Sequence, residues 1–360
     1  MMKYASTPTL LLLLIVIFSS TPAPARAIYQ QPQNYAQALF LKGTQHLQAK
    51  QYREAADAFQ QLIRIVPAFA PAHFFLGVAY SGMNQHREAV QAFNQAIRLK
   101  PDMAEAYFAL SFSYLQLDQY QDSLASVRQA IRLNPNLPNA YNVLAAALGE
   151  MGQYGESLQA AQESARRNPN DPLAYIGLSY CYERLEQHEA AINAARQAAR
   201  LDPTMALAYS NMGYSLNQLG RYQEALAAAR EAMSRQKEPF DRAAAYYIMA
   251  YAHDKLGQRS KALEEYRQAI TEFKQSPRLN ADTYFYLGNA YFQLDRMQEA
   301  IEAYRNAIRL RPNFAQPHLS LGMAYVTIND KRSALEHCNI LKGIDPARAE
   351  KLCKMLSGRR

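Results

Sequence analysis

Apolar, small and proline residues return along this chain at one fixed spacing. Pro67, Pro101, Pro135, Pro169 and Pro203 stand 34 residues apart, and the residues around them repeat in step. Frames of 34 counted from Ala36 open at Ala36, Ala70, Ala104, Pro138, Pro172 and Ala206, then, after short insertions, at Ala243, Ala281 and Ala315, giving nine units. Place twenty is small in every unit: Ala55, Ala89, Ser123, Ser157, Ala191, Ala225, Ala262, Ala300 and Ala334. A side chain of about one carbon lets two helix backbones approach, where a larger one would hold them apart and leave voids. Places four and seven supply opposing bulk, as in Tyr107 with Leu110, Tyr141 with Leu144, Tyr175 with Leu178 and Tyr284 with Leu287, a spacing that puts both on one helix face. Leu219-Gly220 and Leu256-Gly257 mark an inner turn, and the terminal proline stops the second helix. Each unit is therefore predicted as helix, turn, helix.

This register of small, aromatic and proline residues resembles the tetratricopeptide repeat, and the resemblance spans residues 36–346. It implies an all-α, right-handed superhelical solenoid of nine helix-turn-helix repeats, whose first helices line a concave inner surface that holds peptides or partner proteins. Departures are few. Lys42 replaces an apolar residue in the first unit, while Lys237 and Lys274 replace the terminal proline of the sixth and seventh. Three or four residues are inserted there, so residues 236–242 and 274–280 are expected as longer links beside the seventh unit, either a point of flexure or harmless loop drift. Beyond Pro346, Leu352, Met355 and Leu356 take the buried places of one more first helix, which makes residues 347–360 a capping helix and tail; Arg348, Glu350, Lys351 and Lys354 are expected on its wet side.

In the family frame, places two, five, nine, twelve and thirteen of the first helix face inward. Here they bring forward Phe40, Phe74, Phe108, Phe112, Ile176, Tyr180, Tyr214, Tyr247, Tyr251 and Phe285, with Asn142, Asn217 and Asn289 between them. Aromatic area plus amides suits an extended peptide. The alternative role for some of these aromatics is packing between neighbouring first helices. The basic carboxylate clamp of some chaperone-binding relatives is missing, so an acidic C-terminal tail is not the expected ligand. Two functions remain open: a non-catalytic scaffold or adaptor in the bacterial cell envelope that binds a protein or peptide along the groove, and a carrier or lectin-like receptor for glycan or lipid-like ligands in an envelope export pathway.

The start of the chain reads differently from the repeats. Lys3, an apolar run from Leu10 to Phe18 and small residues at Ala25 and Ala27 have the layout of a secretory signal peptide, so residues 1–27 are expected to be removed and 28–35 to form a linker. The run is short for a membrane anchor, which needs roughly 20 apolar residues. Membrane contact is thus expected only if the segment is kept, and the mature protein is expected in the periplasm. The net charge of +8 becomes +6 without Lys3 and Arg26. Many arginines (Arg64, Arg98, Arg132, Arg166, Arg200, Arg309) sit near the ends of second helices, where the helix dipole favours a cation, so nucleic acid is not implied.

No constellation for catalysis is found: there is no H-E-x-x-H, no paired C-x-x-C, no glycine-rich phosphate loop and no G-x-S-x-G elbow. His46, His73, His253 and His318 fall where sister units carry Tyr or Leu, and His86 and His188 share a place with Tyr52, Tyr120, Tyr154 and Tyr222, so they stand in for repeat residues. Neither an enzyme nor a metal or other cofactor is expected. Cys181, Cys338 and Cys353 allow one bridge at most, and since the repeat frame points Cys338 and Cys353 in different directions, both are expected as small buried hydrophobes.

Overall fold

The structure, a computed structural model, describes residues 23–235, 239–276 and 279–357. The expected signal segment falls largely outside these residues. Among the described residues there are nineteen helices and no strand. Nine antiparallel pairs follow one another: α1 (Ala23–Gln48) with α2 (Tyr52–Ile65), α3 (Ala70–Gly82) with α4 (His86–Leu99), α5 (Ala104–Gln116) with α6 (Tyr120–Leu133), α7 (Ala140–Glu150) with α8 (Tyr154–Arg167), and α9 (Pro172–Arg184) with α10 (His188–Leu201). The series continues with α11 (Ala206–Gln218) and α12 (Tyr222–Arg235), α13 (Pro239–Lys255) and α14 (Arg259–Gln275), α15 (Ala281–Gln293) and α16 (Met297–Leu310), α17 (Ala315–Thr327) and α18 (Lys331–Ile344), and ends on α19 (Pro346–Ser357).

The two helices of a pair differ because their surroundings differ. Helix α2 buries Ala55, Ala56, Ala58, Phe59 and Leu62 on one stripe and leaves its charged residues wet. Helix α3 lies between second helices and buries Ala70, Ala72, His73, Phe74, Leu76, Gly77 and Ala79, almost all round. Place twenty is sealed in every pair: Ala55, Ala89, Ala191, Ala225, Ala262, Ala300 and Ala334 have no exposed surface, nor has Ser123. Where serine replaces alanine the hydroxyl is used, Ser123 donating to the Ser111 carbonyl at 2.8 Å and Ser157 to the Ala145 carbonyl at 2.7 Å, each across the pair. Place four tethers one repeat to the end of the one before. Tyr175 donates to the Pro169 carbonyl at 3.2 Å, and His73 and His318 meet the carbonyls of Pro67 and Pro312 at 2.8 and 2.9 Å. The histidines do stand in for tyrosine.

Each inner turn places one residue in the left-handed region: Lys50, Asn84, Asp118, Gly152, Glu186, Gly220, Gly257, Asp295 and Asn329. Only three are glycine, and a non-glycine residue there costs about 1–2 kcal/mol. Exposed Lys50, at φ 58°, is the simplest to relieve. Lys50→Gly is expected to stabilise the first repeat by about 0.5–1 kcal/mol, read as a higher urea midpoint; a lower midpoint would show that the lysine contributes more than its strain.

At four points the structure corrects or adds to the sequence reading. Residues 28–35 are not a linker but part of α1. The insertions beside the seventh unit are taken up in part as helix: α13 begins at Pro239 and, without a proline at 274, α14 runs on to Gln275, so that each has 17 residues. Between the third and fourth repeats the chain divides into two compact units, residues 1–135 and 136–360. The break falls in Pro135-Asn136-Leu137-Pro138-Asn139, where two prolines and a left-handed Asn139 (φ 62°) delay the next helix to Ala140. Lastly, Cys338 and Cys353 form a disulfide, with Cα atoms 5.7 Å apart. One residue separates α18 from α19, where four separate α2 from α3, so the last helix leaves the repeat frame and turns Cys353 onto α18. The cap itself is as expected. Leu352 is fully buried over Gly322, with Met355 and Leu356 half-buried.

Candidate functional site

The inner places behave differently in the two units. In the three-repeat unit Phe74 and Phe108 are only 4% and 6% exposed and serve the core, while Phe112 is 40% exposed. Phe40 is half-buried, its ring 5.5 to 6.1 Å from those of Phe59, Phe69 and Phe75. Burial removes Phe74 and Phe108 from any groove surface and leaves Phe112 as the large aromatic this unit presents at an inner place.

In the six-repeat unit the aromatic and asparagine inner places are occupied by the chain itself, while Leu173 and Leu207 at place two are 54% and 39% exposed. Tyr247 and Phe285 are 8% and 7% exposed, inside a core shared by α13 to α19. Ile176 packs beside Ala198, Ala199 and Ala208, and Tyr251 lies half-buried beneath the Lys255 ammonium at 5.4 Å. The asparagines, expected to bond a partner's backbone, bond their own or the neighbouring repeat instead. Asn142 donates to Asp171 at 2.8 Å and accepts from Ser164 at 2.6 Å; Asn217 donates to the Ile248 carbonyl at 2.9 Å; Asn289 donates to the Tyr247 hydroxyl at 3.1 Å and accepts from Tyr304 at 2.8 Å. Tyr180 donates to Asp282 at 3.2 Å, and the Tyr214 ring lies 5.7 Å from that of Tyr286.

These last contacts join repeats that are far apart in sequence. The start of α15 and the residue after α16 meet the ends of α7 and α9. Arg311, its side chain 2% exposed, donates Nε to the Glu150 carbonyl at 3.0 Å and Nη2 to the Glu150 carboxylate at 2.6 Å. Its Nη1 reaches the Tyr154 hydroxyl at 3.2 Å, both of its Nη atoms reach Asp282 at 3.2 to 3.3 Å, and the guanidinium lies 4.9 Å from the Phe314 ring centroid. Arg184, equally buried, pairs with Asp282 at 3.1 Å and Glu183 at 3.4 Å and reaches the Tyr286 hydroxyl at 3.4 Å. On the rim, Arg348 of α19 pairs with Glu186. Three carboxyls thus face two guanidiniums in a site with little water.

Burial pushes the Glu183 carboxyl up to about 7 and also raises Glu150 against the pull of Arg311. At Asp282 burial acts the same way, but Arg184 and Arg311 outweigh it and hold the group below the ordinary carboxylate range. With Glu183 protonated the cluster balances. A carboxyl whose folded value lies above its unfolded value of 4.5 holds a proton on folding, so its contribution is complete below about pH 4.5 and is lost as pH rises through about 7. Asp282 has the opposite sign and matters only below its ordinary range. The six-repeat unit is therefore expected to lose thermal stability between about pH 4.5 and 7 on account of Glu183, and Glu183→Gln should flatten that fall and melt higher than wild type at pH 8. A variant with the wild-type slope would remove Glu183 from this role.

Sequence reasoning missed this cluster although Glu150, Glu183, Arg184 and Asp282 occupy inner places thirteen, twelve, thirteen and two. The signal was charge at places where sister units mostly carry uncharged residues.

Comparison with known proteins bears on this geometry. Models of the tetratricopeptide repeat match residues 26–181, 173–205 and 204–275, and a model described as TPR repeat matches 288–328. No curated protein matches. Among solved structures, PilW, described as a widely conserved type IV pilus biogenesis factor, is 17% identical, with a TM-score of 0.51 over 58% of this chain and 95% of its own. MamA from Desulfovibrio magneticus RS-1 is 21% identical, with a TM-score of 0.43 over 46% of this chain and 94% of its own. YrrB, described as a TPR protein with an unusual peptide-binding site, is 21% identical, with a TM-score of 0.42 over 51% of this chain and 94% of its own. Such identities speak to the fold alone.

Proposed function

The chain belongs to the tetratricopeptide-repeat family, and from that premise we propose that it is a non-catalytic adaptor of the bacterial cell envelope that captures a partner protein or peptide on the inner places of its first three repeats. The observation that carries this reading is Phe112. It is a large aromatic 40% exposed at inner place nine, its ring edge-on to that of His86 at 6.3 Å, in a unit where Phe74 and Phe108 are buried and Phe40 is half-buried. Aromatic anchors dominate interface energetics, and truncating one costs about 2 kcal/mol or more of binding. The glycan-receptor reading has less support, because Tyr180, Tyr214 and Tyr247 are engaged with other repeats and offer no free stacking platform.

Export is part of the proposal. The layout of residues 1–27 supports it, as does the pairing of Cys338 with Cys353, since disulfides persist in oxidising compartments. The test is crosslinking capture from envelope fractions by wild type, Phe112→Ala and, as a control at an exposed apolar residue on a second helix, Leu335→Ala. Phe112→Ala should lose the partner band that the other two retain, and the recovered protein should begin near Ile28 by mass. Equal capture by all three would place the functional surface elsewhere, and an intact Met1 on a soluble cytoplasmic protein would contradict export.

A further inference from the structure

The Arg311 cradle holds a side chain that its own helix does not need. Arg311 follows α16 at the place filled by Val66, Lys100, Asn134, Asn168 and Asp202 in sister repeats, none of which is an arginine. Its guanidinium is nonetheless met on all sides, by the carbonyl and carboxylate of Glu150, the hydroxyl of Tyr154, both carboxylate oxygens of Asp282 and the face of Phe314. Planar, bidentate recognition of this kind is specific for a guanidinium and poorly served by an ammonium. The contacts come from α7, α8 and α15, so the same acceptors that satisfy Arg311 also tie repeats four and eight together.

The closed arrangement carries a cost that an apolar seam would not. Two guanidiniums and three carboxyls are desolvated, and the buried Nε of Arg184 and Oδ1 of Asn217 have no hydrogen-bond partner among the described residues. Buried ionic groups often stabilise less than an apolar replacement, and their best attested use is in register and switching. Behind the cradle lie Tyr180, Tyr214 and Tyr286, aromatic surface held away from solvent only while the repeats stay together.

We propose that Glu150, Tyr154 and Asp282 form a guanidinium-binding site on the six-repeat unit, occupied in the resting protein by Arg311 as an internal pseudo-ligand, and that an arginine-bearing peptide takes the same seat in its place. The exchange frees the loop after α16 and opens the tyrosine-lined inner face to that peptide. This deepens the adaptor reading and rests on its premise that repeat faces bind peptides. It assigns to the second unit a ligand class, arginine-containing segments, and a self-blocking contact that keeps the face shut without one.

The test needs no partner. Gln159→Cys and Glu302→Cys, both at exposed positions, carry spin labels on the full chain, where Cys181 is buried and the other two cysteines are bridged. Wild-type Arg311 should give one narrow label distance. Arg311→Ala should broaden and lengthen it and raise the number of tyrosines that ionise near pH 10, a direct count in a chain without tryptophan. Adding acetyl-arginine amide to Arg311→Ala should narrow the distance again and saturate, while acetyl-lysine amide should not. An unchanged distance in Arg311→Ala overturns the latch; a distance that opens but ignores acetyl-arginine amide overturns the site. If Arg311→Ala loses its helical circular dichroism, the titration is made on Arg311→Lys, whose single ammonium cannot bridge Glu150 and Asp282, and indifference to acetyl-arginine amide there overturns the site equally. Failure of Phe112→Ala to weaken capture would sink the adaptor reading and leave these distances untouched, so the two outcomes are separable.

Discussion

Replacing Asp282 with alanine is expected to lower the unfolding free energy of the six-repeat unit by about 3–5 kcal/mol, the usual cost of stranding a buried charge by removing its partner. Asp282 is the common acceptor of Arg184 and Arg311, both with side chains 2% exposed, and it also accepts from Tyr180. Without it two guanidiniums share one site, with Glu150 and Glu183, both carboxyls that burial raises, left to balance them. The urea midpoint should fall steeply. The triple change Arg184→Met, Asp282→Leu, Arg311→Met removes every stranded charge and should retain far more stability than Asp282→Ala alone. If the single and triple variants fall equally, the cluster acts through packing and its charges are incidental.

The second large effect separates two phenylalanines four residues apart on α5. Phe108→Ala should cost the three-repeat unit roughly 3–5 kcal/mol, the range for deleting a core aromatic, because only 6% of Phe108 is exposed. Phe112→Ala, at 40% exposure, should move stability by no more than about 0.5 kcal/mol. Thermal melts of the two single variants check this. Equal losses would mean that Phe112 is also a packing residue and would remove it from the binding surface.

Much of the fold was legible because a repeat states its packing rules nine times over. Place twenty announced the close approach of two helices, and the absence of exposed surface at Ala55, Ala191 and Ala334 is that rule in three dimensions. The histidines at place four were readable as tyrosine substitutes because His73 and His318 have the same use for a ring nitrogen that Tyr175 has for a hydroxyl. What was not legible lies outside nearest-neighbour logic. A frame of 34 residues says how one repeat meets the next, and is silent on whether Arg311 will reach Glu150, 161 residues away. It placed Tyr180, Tyr214 and Tyr247 on an inner wall without saying that the wall would be occupied. Departures from the frame carried the missing information: the charges at Glu150, Glu183, Arg184 and Asp282, the twin prolines Pro135 and Pro138, and the single residue between α18 and α19 that brings Cys353 to Cys338.

In an open repeat array, stability is set by nearest neighbours and protection decays toward the ends. Residues 136–360 are expected to depart from that behaviour, because the ion cluster ties repeats four and five to repeat eight. Native-state hydrogen exchange on the full chain tests this most directly. The slowest amides of α7 through α18 should share one opening free energy, and in Asp282→Ala that common value should split into a gradient lowest in α7 and α8. A graded pattern already present in wild type, unchanged by Asp282→Ala, would contradict the closure.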